Sequence, residues 1–171
     1  KGLNVSPLIQ GGKVYTGHSE ENANNPTSMG GIVCLDGTQK GDISKAGPAW
    51  QVPAMMGKSA PLLIDGRLYC FDEGAKLYVL DAATGEQIGK PVKLVGTIMR
   101  SSPIYADGKI YACTTSAWHV IQPTKDGAKV THKLRLLEED EVSGSPRISH
   151  GRIYLPTGGH LYCIGEKDQK P

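Results

Sequence analysis

Four stretches of this chain align without a gap: NVSPLIQGGKVY from Asn4, KSAPLLIDGRLY from Lys58, RSSPIYADGKIY from Arg100 and SGSPRISHGRIY from Ser143. Pro7, Pro61, Pro103 and Pro146 form one column, Gly12, Gly66, Gly108 and Gly151 a second, and Tyr15, Tyr69, Tyr111 and Tyr154 a third. Pro61 to Pro103 and Pro103 to Pro146 are 42 and 43 residues apart, within the period of four-stranded blade repeats. The first unit is longer, with 54 residues from Pro7 to Pro61. A repeat of this length constrains a chain more than any local propensity, because each unit buries its apolar surface only against its neighbours.

Each column has a physical reason. The Gly closes a two-residue hairpin in which both central positions want positive φ, supplied by Asp-Gly twice, Gly11-Gly12 once and His150-Gly151 once. Pro at the head of a strand removes a ladder donor, which an edge strand tolerates. After the turn come a basic residue, an aliphatic residue and Tyr, so neighbouring apolar residues point to opposite faces and the strand is buried on both. A third strand follows in each unit, at IVCLD from Ile32, LYVLD from Leu77, WHVIQ from Trp118 and LYCIG from Leu161. A fourth is expected at PAWQV, QIGKPV and KVTHKL, and the last unit stops before its own. The reading is an all-β chain of about fifteen strands in one domain, 1–171, with blades at about 4–57, 58–99, 100–142 and 143–171.

The pattern SPxxxDGKxY followed by LYxLDAATGE, which ends at Glu86, resembles the repeat of the quinoprotein-like, pyrroloquinoline-quinone-type β-propellers. That family includes the quinoprotein dehydrogenases and BamB-like scaffold proteins of the cell envelope. The resemblance covers nearly the whole chain and implies a partial propeller of about four four-stranded antiparallel blades, the last incomplete, from an eight-bladed type. It also implies that the Pro-bearing strands line the central channel and that the protein is periplasmic or otherwise extracytoplasmic. The family's docking Trp, four residues after the Thr-Gly glycine, is replaced by Gly89 and, in the next blade, Thr131; only Trp50 resembles the expected ring. Weaker docking between blades is the expectation.

Lys1 opens the chain in place of Met, so a processed protein or a fragment is expected. With 19 basic and 17 acidic residues the net charge is +2, and no basic stripe tracks a phosphate backbone, so nucleic acid is not an expected partner. No apolar run reaches the roughly 18 residues of a membrane span. Cys34, Cys70, Cys113 and Cys163 form no CxxC; Cys34 and Cys163 read as small hydrophobes, while Cys70 and Cys113, on opposite faces of neighbouring blades, either meet in one interface or face away from each other, with two free thiols the expectation. The histidines, His18, His119, His132, His150 and His160, share no ligand spacing, and no nucleophile, phosphate-loop or dinucleotide motif occurs.

Candidate partner contacts lie in the loops of one propeller end. Lys58 and Arg100 stand three residues before their prolines and form a candidate cationic rim, with Met56, Met99 and Trp118 as its apolar part and Met55 in the same loop. HSEENANNPTSMGG from His18 reads as a long loop, and LLEEDEV from Leu136 as a solvated acidic turn. The sequence therefore points to a binding or scaffold module without catalytic, cofactor or metal residues of its own. Its expected partners are a protein or the missing half of a propeller, and open blade faces favour self-association. Two alternatives stand beside it. One is a fragment of a quinone-dependent dehydrogenase, which would bring pyrroloquinoline quinone and calcium. The other is the sensor domain of a larger receptor or kinase.

Overall fold

At the Gly columns the backbone takes the turn that the residues demand. Asp65, Asp107 and His150 have φ of 48°, 48° and 49°, the glycines after them 74°, 68° and 70°, and Gly11 and Gly12 take 57° and 73°. Two successive positive φ values make the type I′ turn, whose twist matches that of the strands it joins. Each turn closes a hairpin, and the computed structural model, which describes residues 4–22, 25–137, 140–142 and 144–166, places fifteen strands and no helix among those residues.

The strands form four antiparallel sheets in chain order. Blade 1 holds β1 (Leu8–Gln10), β2 (Lys13–Asn22), β3 (Asn25–Asp36) and β4 (Trp50–Val52); blade 2 holds β5 (Leu62–Ile64), β6 (Arg67–Phe71), β7 (Lys76–Asp81) and β8 (Val92–Lys93). Blade 3 holds β9 (Ile104–Ala106), β10 (Lys109–Thr114), β11 (Ala117–Thr124) and β12 (Gly127–Arg135). Blade 4 has three strands, β13 (Arg147–Ser149), β14 (Arg152–Pro156) and β15 (Leu161–Ile164). In every sheet the strand that follows the Pro is an edge, as the missing N–H requires. The outer strand of blade 2 is cut to two residues, flanked by Gly89 and Pro91.

One reading is corrected. The extension after His18 is a continuation of the β2–β3 hairpin and not a long loop: the ladder runs on through Glu21↔Met29 to Asn22↔Asn25. Asn22 makes this possible. Its buried amide donates to the Ser28 and Gly30 carbonyls at 2.9 and 2.8 Å, and its oxygen accepts from Gln51 at 2.6 Å, so polar sequence satisfies itself inside a strand pair.

Strand alternation gives each blade two apolar faces. The face bearing the repeat Tyr packs on the next blade, and the face bearing the residue before that Tyr packs on the previous one. Tyr15, Ile32 and Cys34 of blade 1 thus meet Leu68, Cys70 and Leu80 of blade 2. Tyr69, Phe71, Leu77 and Val79 of blade 2 meet Ile110, Ala112 and Ile121 of blade 3. Cys113 and Trp118 of blade 3 meet Leu155 of blade 4, with Tyr111 stacked on Trp118 at 5.6 Å between ring centroids. Cys70 and Cys113 therefore face away from each other, and burial pushes both thiols up to about 12. All four cysteines are free, but Cys163 is exposed rather than buried, because among the described residues no blade covers its face.

Docking between blades uses two solutions. Trp50 lies on Gly85, where a Cβ would stand 2.7 Å from the ring, and its Nε1 donates to the Ala82 carbonyl at 3.1 Å. At the next junction Gly89 replaces the ring with direct backbone approach: a Cβ there would collide with the Asp126 carbonyl. Arg67 ties the same junction by donating to the Thr124 carbonyl at 2.7 Å. The missing Trp is thus met by closer backbones rather than by an open gap. Gly89→Ala, which combines positive φ with that collision, should destabilise the chain by about 2–4 kcal/mol. Gly108→Ala, at a similar φ with nothing within 4 Å, should cost only about 1–2 kcal/mol. Urea denaturation of the two variants side by side checks the difference.

Candidate functional site

The segments joining one blade to the next are tied into the sheets by a repeating pair of backbone hydrogen bonds. Met56, Met99 and Val142 donate their N–H groups to the carbonyls of His18, Glu73 and Thr115 in the preceding blade, at 3.2, 3.2 and 2.9 Å. The residue just before each, Met55, Ile98 and Glu141, accepts from Glu73, Thr115 and Gly158 in the following blade, at 2.8, 3.0 and 3.0 Å. A belt of main-chain bonds thus crosses all four blades at the end where connectors and second-to-third-strand loops meet. The belt explains the methionines: Met56 and Met99, like Val142, are plugs buried between blades. Trp118 is buried in the same way. Of the candidate apolar contacts, Met55 is the one at the surface, 41% exposed.

Lys58 and Arg100 emerge beside this belt, and each meets a carboxylate. Lys58 Nζ lies 2.7 Å from Glu73 Oε2 and Arg100 2.6 Å from Glu141 Oε1, with the cationic side chains 40% and 43% exposed. Burial works against the charge of Glu73, but hydrogen bonds from Lys58 and Ser19 outweigh it and hold the carboxyl below its ordinary range. Ser19 also accepts from the Gly57 N–H at 2.9 Å, which fastens blade 1 to this pair. The candidate cations are therefore rim groups carrying their own counter-ions.

The acidic segment contains a site that its composition hides. Glu138 and Glu139 lie outside the described residues, but Asp140 is 0% exposed and is no solvated turn residue. It accepts from Thr157 Oγ1 at 2.9 Å and from Tyr162 Oη, and lies 2.9 Å from His160 Nδ1. Those three partners belong to blade 4, so one carboxylate clamps the connector to the last hairpin. The hydrogen bonds from His160 and Tyr162 are the main reason its carboxyl is held down to about 2, against the opposing effect of desolvation. A second buried polar clamp is His119, whose Nε2 accepts from the Val95 N–H at 3.1 Å and is thereby neutral. Burial holds its pKa below the ordinary value. Spacing alone revealed neither clamp, because the partners come from different repeats.

Two windows of acid sensitivity follow. His119, depressed in the folded state, adds stability that is complete above the unfolded value of 6.5 and declines as pH falls below it. Asp140 adds stability that is complete above its unfolded value of 3.8 and is lost as pH falls through about 2. Thermal denaturation against pH should show both declines. Asp140→Asn should lower the melting temperature at pH 7 and flatten the lower one.

No protein-family model matches the sequence, and no curated protein matches it. Its fold is nevertheless shared with solved structures. BamB from Moraxella catarrhalis superposes with a TM-score of 0.65 at 14% identity, over 90% of this chain and 43% of that one. A quinohemoprotein alcohol dehydrogenase from Pseudomonas putida HK5 gives 0.66 at 12% identity, over 91% of this chain and 28% of that one. The computationally designed Ika4 protein gives 0.64 at 11% identity, over 96% of this chain and 92% of that one. The chain thus spans less than half the length of these two natural proteins. The fold is a partial β-propeller, four antiparallel sheets packed face to face, of the same kind as BamB and the quinone-type alcohol dehydrogenases.

Proposed function

We propose that this chain is a non-catalytic β-propeller module that binds a protein segment on its connector rim, a BamB-like scaffold role outside the cytoplasm. The observation that carries the reading is the rim itself. Two ion pairs, Lys58–Glu73 and Arg100–Glu141, whose cations stand at equivalent places in neighbouring blades and are 40% and 43% exposed, sit on a belt of backbone bonds. Exposed Met55, whose carbonyl accepts from the Glu73 N–H, adjoins the first pair, and exposed Leu137 lies on the last connector. Paired charges set among flexible apolar side chains suit an extended peptide. The pairs are held in place before binding, and methionine adapts to varied side chains.

The second reading, part of a quinone-dependent dehydrogenase, is favoured only by the likeness of fold to the alcohol dehydrogenase, and a fold does not carry an activity with it. The two are separated by incubating the protein with pyrroloquinoline quinone and calcium and following absorbance and alcohol-dependent dye reduction. The scaffold reading expects neither a bound chromophore nor turnover, and either would overturn it. In a displayed library of extended peptides, bound sequences should lose roughly tenfold or more in affinity when Met55→Asp and Arg100→Glu are combined. The melting temperature should stay within about 2 °C, since both positions are exposed.

A further inference from the structure

On the side of the array opposite the connector belt, the hairpin turns of blades 2 and 3 frame a cavity of about 430 Å³. Buried Tyr69 lines it, together with the β5–β6 turn at Asp65, the β9–β10 turn at Gly108 and the β11–β12 turn from Gln122 to Lys125. Two hydrogen bonds hold these walls. Arg67 donates to the Thr124 carbonyl at 2.7 Å across the junction, and Gln122 Nε2 donates to the Gly108 carbonyl at 3.0 Å within blade 3. Every lining residue lies between positions 64 and 125, so two four-stranded blades in the middle of the sequence supply the whole cavity.

The charges around it do not cancel. Arg67 and Lys125 face it with one carboxylate, Asp65, and none of the ion pairs among the described residues involves either cation. In blade 3 the equivalent of Arg67 is Lys109, whose ammonium is neutralised by Asp107 of its own turn at 2.9 Å. Arg67 meets a carbonyl instead, and a half-buried guanidinium with no carboxylate beside it favours an anion there. The repeat Tyr differs too. Tyr15 donates its hydroxyl to the Ala82 carbonyl at 3.3 Å, whereas Tyr69 makes no such bond to Pro123, which holds the place of Ala82 in blade 3. Tyr69 is hydrogen-bonded to Arg67, and because a guanidinium only donates, the phenol O–H is left to donate elsewhere. Burial pushes the Tyr69 phenol up, with Arg67 opposing, so it remains a protonated donor at neutral pH.

We propose that this cavity binds a small organic monocarboxylate, held by the Arg67 guanidinium and the Tyr69 hydroxyl with Lys125 beside them, and with its apolar body against Ile64, Pro123 and the Tyr105 ring. The planar fork of a guanidinium matches a carboxylate, and Arg67 keeps further N–H donors beyond those given to Thr124 and Tyr69. A single negative charge balances the two cations and Asp65. A phosphate dianion or a dicarboxylate brings surplus charge against Asp65, and an inorganic anion leaves the apolar wall uncovered. The site lies at the opposite end of the blades from the connector rim and is independent of what the rim binds.

Benzoate is the probe. In heteronuclear NMR spectra of the 171-residue chain, benzoate should shift the Arg67 side chain and the backbone amides of Asp65 and Thr124 saturably, with a dissociation constant on the order of 0.1–1 mM. Benzyl alcohol and phosphate at the same concentrations should leave them in place. Read at the Thr124 amide, Arg67→Gln and Lys125→Glu should each weaken benzoate roughly tenfold or more, and Tyr69→Phe roughly fivefold. Arg67→Gln also removes a tie between blades, but Lys125 lies on an exposed turn, so Lys125→Glu should keep the melting temperature within about 2 °C. The absence of a saturable shift up to about 10 mM benzoate would overturn the site. An equal response to benzyl alcohol, tighter binding of phosphate, or benzoate affinity unmoved by Lys125→Glu would each overturn its assignment to a monocarboxylate.

Discussion

A blade with two apolar faces buries both only between two others. That constraint follows from strand alternation: in β6 and β10 consecutive residues are buried because odd and even positions enter different interfaces. From it come the three core clusters among the described residues, each drawn from two sheets. The same rule explains why Cys163, chemically like its buried equivalent Cys34, is exposed at the end of the array.

Packing between blades is non-directional, and the polar contacts add direction to it. The backbone belt through Met56, Met99 and Val142 sets the depth of each connector, while Trp50 on Gly85, and Gly89 against the 126–127 turn, set the distance between outer rims. On the Pro side, hydrogen bonds from the Ala60 N–H to Ser102 Oγ and from the Ser102 N–H to Ser145 Oγ align the inner edges. Each such bond contributes only about 0.5–1.5 kcal/mol net, but together they select one angle between sheets that hydrophobic burial alone would leave loose.

Much of this was legible in the residues because it is local. The Gly column specified four I′ turns, the Pro column four edge strands, and the residue–Tyr alternation two buried faces. The candidate rim was legible only in part. Lys58 and Arg100 stand at a surface, but their partners Glu73 and Glu141 belong to segments outside the repeat alignment. Met56, Met99 and Trp118 looked like contact residues because they lie near loops, and they are instead the plugs between blades. Asp140, inside a run of acids, was hidden by composition, since three neighbours brought from blade 4 decide its burial.

Local φ preferences and strand alternation, acting within a few residues of each position, set the repeating unit: its strands, turns and faces, and the number of repeats. Which face meets which blade, the docking of Gly89 by close backbone approach where a ring was expected, and the pairing of polar groups at the rim all come from packing between blades. These outcomes depend on distances between residues some 20 to 60 positions apart, such as Arg67 and Thr124 or Ser19 and Glu73. Periodicity is silent about them because contacts between repeats form through space, between residues that no local pattern pairs.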